Sequence, residues 1–219
     1  MTGCGCLAAF LRNSLRQGQV YESNSFSLVA ALQQLNLTDV EVFWAEDNLN
    51  QLTMILAKAL HNSDVVLLTG GVSVGDYDFV IDAATGCGVK KIFHHVKQKP
   101  GKPLYFGKKQ NQLVFGLPGN PSSVLTCFYE YVIPALHILN PSVKNLQIMQ
   151  VPLVKTFKKA TGLTHFLKGF YDGKRATLLD AQESYRLSSF AQANCLICIK
   201  EETTYCNEGD LVEIHCLPD

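Results

Sequence analysis

Val65-Val66-Leu67-Leu68 is an unbroken run of β-branched and leucine residues, with Asp64 before it and Thr69-Gly70-Gly71 after it. A strand with one wet face alternates apolar and polar residues. A run without alternation belongs to a strand covered on both faces, as in a parallel sheet. The flanking segments agree. Ser23-Asn24-Ser25 offers N-caps for a helix through about Asn36, with Phe26, Val29, Leu32 and Leu35 on one face. Val40–Trp44 reads as a strand, and Leu49–His61 carries Leu52, Ile55, Leu56, Ala59 and Leu60 at helical spacing. Ile92–Val96 and Leu113–Leu117 are further strands, and Val124–Leu139 is a long apolar helix. The order β-α-β-α predicts an α/β layered fold with a parallel sheet.

The pattern changes after Asn140-Pro141. Short strands are expected at about 146–154, 165–171, 175–180, 194–200 and 211–217, with no convincing helix among them. Asp172-Gly173 is a hairpin turn signal between two of these strands. This stretch reads as a small β-barrel or sandwich.

Charge narrows the function. The chain has 219 residues, with 19 Lys+Arg balanced by 19 Asp+Glu. Nucleic-acid and anionic-membrane proteins need a basic surplus, so neither partner is expected. With 47% hydrophobic and 17% charged residues the chain is globular and ordered. No apolar run is expected to reach the roughly 18–20 residues of a membrane span. Met1–Asn13 imitates a short signal peptide but has no basic n-region, so that reading is rejected.

Eight cysteines are present: Cys4, Cys6, Cys87, Cys127, Cys195, Cys198, Cys206 and Cys216. Cys195-x-x-Cys198 has metal-like spacing but lies in the strand-like run 194–200. Residues three apart on a strand point to opposite faces and cannot clasp one ion. Cys4-x-Cys6 has no second Cys/His pair nearby. Free thiols in a reducing cytoplasm are the simplest reading.

Ligands of open parallel sheets bind beyond the carboxyl ends of the strands. Three polar, Gly-rich segments are expected there. The first is Thr69-Gly-Gly-Val-Ser-Val-Gly-Asp-Tyr-Asp78. Gly70 and Gly71 let backbone N–H groups approach an anion, Thr69 and Ser73 can donate further bonds, and Asp76 and Asp78 suit a divalent cation. The second is Lys99-Pro-Gly-Lys102-Pro103, either a stiff cationic anion-binding loop or a solvated turn. The third is Leu117-Pro118-Gly119-Asn120-Pro121-Ser122-Ser123, where Ser122 or Ser123 can cap the following helix and leave its N-terminus facing an anion. It has no Walker lysine and is not a P-loop. Asp47, after strand 40–44, either joins the metal site or caps a helix. His94 and His95 are expected on opposite faces of one strand, buried or facing solvent. Together the loops indicate a phosphate-bearing ligand with a metal.

Taken in order, these three motifs resemble the molybdopterin molybdenumtransferase family (MoeA and the gephyrin E-domain). Gln19-Val-Tyr-Glu-Ser-Asn24 resembles that family's strand-to-helix lead-in. The resemblance spans residues 2 to about 217 and corresponds to the family's C-terminal half. It implies a three-layer, adenylyltransferase-like molybdopterin-binding α/β domain over 1–142, its first strand missing, then an all-β barrel domain over 143–219. It also implies insertion of molybdate into adenylylated molybdopterin with release of AMP and the involvement of Mg²⁺. The protein would be a cytoplasmic homodimer, with the family's N-terminal domains or a molybdopterin adenylyltransferase as possible partners. Asp47, Asp78, Lys99 and Ser184 would be catalytic, and Asp47, Asp76 and Asp78 would hold the metal. Thr69, Gly70, Gly71, Ser73, Lys102, Pro118, Gly119, Asn120, Pro121 and Ser122 would bind the pterin nucleotide. Ser184, in Gln182-Glu-Ser-Tyr-Arg-Leu-Ser-Ser189, matches a serine lining the family's cleft.

Departures from the pattern are specific. Gly5 stands at a carboxylate position, His95 where lysine is common, and Glu183 and Tyr185 replace glycines flanking the serine. Two other readings compete. One is a molybdopterin adenylyltransferase, against which stands Val72-Ser73 where those enzymes carry Thr-Gly. The other is a non-catalytic pterin-binding or dimerising scaffold.

Overall fold

The computed structural model of the chain describes residues 8–9, 20–46, 48–71 and 79–218. The chain folds as two units. The first runs to residue 120, apart from 34–36 and 96–102, which join 121–219 in the second.

In the first unit a short parallel pair, β1 (Ala8–Ala9) and β2 (Val20–Tyr21), precedes α1 (Asn24–Gln34). Then come α2 (Leu49–Asn62), β3 (Val65–Thr69), α3 (Phe79–Gly86) and β4 (Lys90–His94). The chain makes β5 (Gln98–Lys99) in the second unit and returns for β6 (Tyr105–Lys109) and β7 (Gln112–Leu117). The sheet order is β3-β7-β6-β4. Only β3 and β7 run parallel, and the other two pairs are antiparallel. The α/β character is as expected, but the sheet is mixed because β6 and β7 form a hairpin through Gln110, whose φ is +53°.

Asn48 caps α2, its side chain accepting from the Gln51 N–H at 3.1 Å. Leu52, Leu56, Ala59 and Leu60 of α2 pack with Val66, Val80, Ala83, Ala84 and Val114. Each fully buried leucine contributes about 1.5–3 kcal/mol relative to exposure.

Two expectations need correction here. The segment 40–44 forms no strand, and Val42 and Trp44 are exposed; β-branched composition makes no strand without a ladder to join. On α1 the buried residues are Leu28 and Ala31, whereas Phe26 is exposed. Apolar residues surround this helix almost completely, so periodicity does not single out a face. Its start is bonded by Glu22, whose carboxylate accepts from the Ser25 N–H and Oγ.

The second unit joins a helical stretch to a barrel. The stretch comprises α4 (Pro121–Cys127), a π-helical segment Phe128–Val132 and α5 (Ile133–Leu139). Contrary to expectation, these 19 residues are long and apolar enough to cross a membrane. Phe128, Val132 and Ile133 are nevertheless fully buried in protein, as in a core helix.

The remaining strands are β8 (Gln147–Pro152), β9 (Phe157–Lys158), β10 (Thr164–Tyr171), β11 (Ala176–Leu178), β12 (Cys195–Ile199), β13 (Tyr205–Cys206) and β14 (Leu211–Cys216). The order β11-β10-β12-β14-β8 closes on itself, because Leu153, just past β8, bridges Ala176 of β11. Leu153, Leu167, Cys195, Ile197, Val212 and Ile214 fill the interior. Cys195 therefore points inward while Cys198 points outward, as strand geometry requires. Burial, foremost, raises both thiols to about 12, so neither is a ready thiolate. At the expected hairpin, the Asp172 carboxylate accepts from the Lys174 and Arg175 N–H groups, which lower its pKa, and Gly173 has φ +94°.

Gly101 fixes β5 against the helical stretch. Its φ is +86°, and a Cβ there would lie 2.5 Å from Cys127 Sγ and 2.9 Å from Gln98 Nε2. We expect Gly101→Ala to cost about 1–3 kcal/mol, from left-handed strain and overpacking. Urea unfolding checks this; an unchanged midpoint would show that the loop yields freely.

Candidate functional site

Because β3 and β7 are parallel and in register, Thr69 lies opposite Leu117. The two glycine-rich loops therefore leave the same sheet edge from adjacent strands. Gly70 and Gly71 have φ of +80° and +69°, which glycine adopts without strain. The Gly70 N–H donates to the Leu117 carbonyl at 3.3 Å, and a Cβ on Gly119 would come within 3.9 Å of Gly70 Cα. Asn24, at the start of α1, donates from Nδ2 to the Gly119 carbonyl at 2.9 Å. Its Oδ1 is buried and has no hydrogen-bond partner among the described residues. An orphaned acceptor beside a side-chain-free loop suits a bound polar ligand. Pro118 is buried and Asn120 exposed. Ser73, Asp47, Asp76 and Asp78 lie outside the described residues.

The second unit holds the other expected residues. Lys99 and Lys102 are exposed. Lys99 lies opposite His165, where β5 pairs in parallel with β10. Below them Gln98 is buried, donating to the Pro100 carbonyl at 3.0 Å and accepting from the Tyr131 hydroxyl. The polar base of this loop is thus fixed while both ammonium groups stay in water.

The expected helix capping by Ser122 or Ser123 is corrected. Proline suits the first helical position, where no N–H is needed, and α4 accordingly begins at Pro121. Ser122 and Ser123 are already inside the helix and buried. The Ser122 N–H donates to the Ser184 carbonyl at 3.0 Å. One of the N–H groups expected to face an anion is therefore taken by the Ser184 loop.

That loop is held by Lys168, which the sequence reading missed. Its ammonium is buried and donates to the carbonyls of Ala181 at 2.8 Å, Arg186 at 3.4 Å and Glu183 at 3.5 Å. Burial pulls the Lys168 pKa below the usual lysine value, while Glu183 pulls it up. Gln182 adds a bond from Nε2 to the Lys168 carbonyl at 2.8 Å and one from the Lys168 N–H to Oε1 at 3.0 Å. Leu167 faces the barrel interior, so Lys168 lies on the outer face of β10, buried by residues 181–186, and the strand pattern gives no signal for it.

His94 and His95 are not on opposite faces. His95 has φ +73°, which breaks the strand alternation and brings the two rings to 3.8 Å between centroids.

An α/β unit with paired glycine-rich loops on adjacent parallel strands, followed by a β-barrel, is the architecture of a molybdopterin-binding protein. The chain belongs to this family: residues 10–138 match the probable molybdopterin binding domain. Residues 150–217 match the MoeA C-terminal region, domain IV. The molybdopterin molybdenumtransferase of Haemophilus influenzae is 31% identical over 207 residues, covering 91% of this chain and 51% of the relative. That of a Nostoc species is 31% identical over 220 residues, covering 95% and 50%. The crystal structure of a molybdopterin biosynthesis MoeA protein from Pyrococcus horikosii superposes with a TM-score of 0.79 at 26% identity, covering 97% of this chain and 52% of that one. The chain spans about half the length of the curated relatives it matches.

Proposed function

We propose that this chain is the pterin-nucleotide-binding part of a molybdopterin molybdenumtransferase, serving molybdenum cofactor biosynthesis by inserting molybdate into adenylylated molybdopterin with release of AMP. The observation that supports this most is the Thr69–Leu117 register, which sets two glycine-rich loops side by side at one sheet edge. The left-handed Gly70-Gly71 turn leaves backbone open to the ligand. Thr69, Gly70, Gly71 and Ser73 would cradle it, with Pro118, Gly119 and Asn120 shaping the adjoining loop. Pro121 and Ser122 fix the start of α4. Lys99 and Lys102, exposed on a fixed loop, would neutralise phosphate or molybdate charge. Ser184 would add a polar contact from its own loop.

Mg²⁺ belongs to the proposal through Asp47, Asp76 and Asp78, since several carboxylates suit a hard cation. When bound it would neutralise phosphate charge. A cytoplasmic homodimer, assembled with the family's other domains or a molybdopterin adenylyltransferase, completes the reading.

The test incubates the chain with adenylylated molybdopterin, Mg²⁺ and molybdate and measures binding and AMP. Binding with AMP release is expected. Binding without release, persisting when the N-terminal half of a family enzyme is added in trans, would favour a non-catalytic scaffold. No binding would overturn the proposal. For Asp78→Asn we expect AMP release to fall about hundredfold or more with the unfolding midpoint unchanged. A mutant that unfolds would make the residue structural instead.

A further inference from the structure

A separate cluster of reactive side chains lies on the outer face of the barrel. β12 and β14 are antiparallel, with Cys198 opposite Glu213 and Leu196 opposite His215. Residues two apart share a strand face. Cys198, Glu213 and His215 therefore project together, away from the interior residues Cys195, Ile197 and Ile214. One donor atom from each lies within 4.8 Å of the others. His215 Nε2 is 3.2 Å from Glu213 Oε1, close to the edge of a tetrahedron with about 2.0–2.1 Å bonds to a central ion.

A second, independent feature concerns the other ring nitrogen. His215 Nδ1 lies 2.7 Å and 2.9 Å from the two carboxylate oxygens of Glu130. Without a metal, both ring nitrogens face carboxylates, Nδ1 that of Glu130 and Nε2 that of Glu213, an arrangement that suits the doubly protonated ring. Once Nε2 gives up its proton, Glu130 fixes the tautomer whose Nε2 lone pair faces the ion, as behind metal-bound histidines. Glu130 comes from the π-helical segment, and such segments occur frequently at functional sites. Cys198 and His215 are buried, while the Glu213 side chain is 21% exposed and gives access from solvent. Lys200 Nζ contacts Glu213 at 2.6 Å, and its half-exposed side chain can turn into water when another cation arrives.

We propose that Cys198, Glu213 and His215 bind a thiophilic divalent cation, Zn²⁺ by ligand chemistry, with water as fourth ligand and Glu130 holding His215 in position. A thiolate, a carboxylate and an imidazole are a familiar zinc donor set. The metal–sulfur and metal–nitrogen bonds form as the thiol proton and the His215 Nε2 proton pass to solvent, and no electron is transferred. One thiolate and one carboxylate balance the charge of the ion. The site ties β12 and β14 together and, through Glu130, to the helical stretch. It is independent of the Gly-rich loops and uses the one cysteine of Cys195-x-x-Cys198 that faces outward.

The test titrates the metal-stripped full chain with Co²⁺ in the absence of pterin and molybdate. One equivalent should give tetrahedral visible bands and a near-ultraviolet thiolate-to-cobalt band, both removed by Zn²⁺. Cys198→Ser should abolish the thiolate band and weaken Zn²⁺ binding at least about tenfold. Glu130→Gln should keep the band and weaken binding about 10–100-fold. Glu213→Gln, at a partly exposed position, carries the same affinity test if Cys198→Ser does not fold. Absence of stoichiometric binding, or a thiolate band unchanged in Cys198→Ser, would overturn the proposal.

Discussion

Replacing Lys168 by Met is expected to lower stability by about 2–4 kcal/mol and to release the Ser184 loop. Methionine keeps most of the buried stem, so the change isolates the ammonium. Three carbonyls, on Ala181, Glu183 and Arg186, lose their donor. A buried acceptor left without a partner costs about 1–3 kcal/mol, and water entering the opened loop recovers part of that. The distinguishing readout is amide exchange at Ser122, whose N–H is bonded to the Ser184 carbonyl. Exchange there should accelerate more than in β12, where the ladder is untouched. Equal acceleration at both places would mean that Lys168 supports the whole unit rather than the loop. Lys168 is therefore a positioning residue for Ser184.

The second large effect is expected for Gly70→Val. A β-branched residue at φ +80° is strongly disfavoured. The strain of about 1–2 kcal/mol per left-handed residue must be relieved by moving the turn. The sheet edge beneath it is set by the β3–β7 ladder and should survive. Adenylylated molybdopterin should bind about 10–100-fold more weakly by calorimetry, with only a small shift in unfolding midpoint. Unchanged affinity would show that the Thr69-Gly70-Gly71 turn is not the cradle.

The parts legible from sequence were those set by local pattern. Leu52, Leu56, Ala59 and Leu60 repeat at helical spacing and form the buried face of α2. The five principal barrel strands occur where short apolar runs between turn residues place them. β6 escaped because Tyr105-Phe106-Gly107-Lys108-Lys109 mixes apolar and charged residues, so only β7 on the far side of the Gln110-Asn111 turn reads as an apolar run. Segment 40–44 misled because β propensity is mostly a statement about neighbours. The Gly-rich loops were readable because backbone geometry demands glycine at Gly70 and Gly71. Lys168 was not, because its acceptors are main-chain carbonyls 13 to 18 residues away and carry no side-chain signature. His215 and Glu130, 85 residues apart, were invisible for the same reason of distance.

Closure of the barrel through Leu153 and Ala176 has a consequence for association. Open sheets offer a row of unsatisfied N–H and C=O groups to which another chain can add a strand. Here one bridge joins the ends of β8 and β11, and the edge of β10 at Thr164 and His165 is taken by β5 of the same chain. Strand addition by another chain at that place must first displace β5.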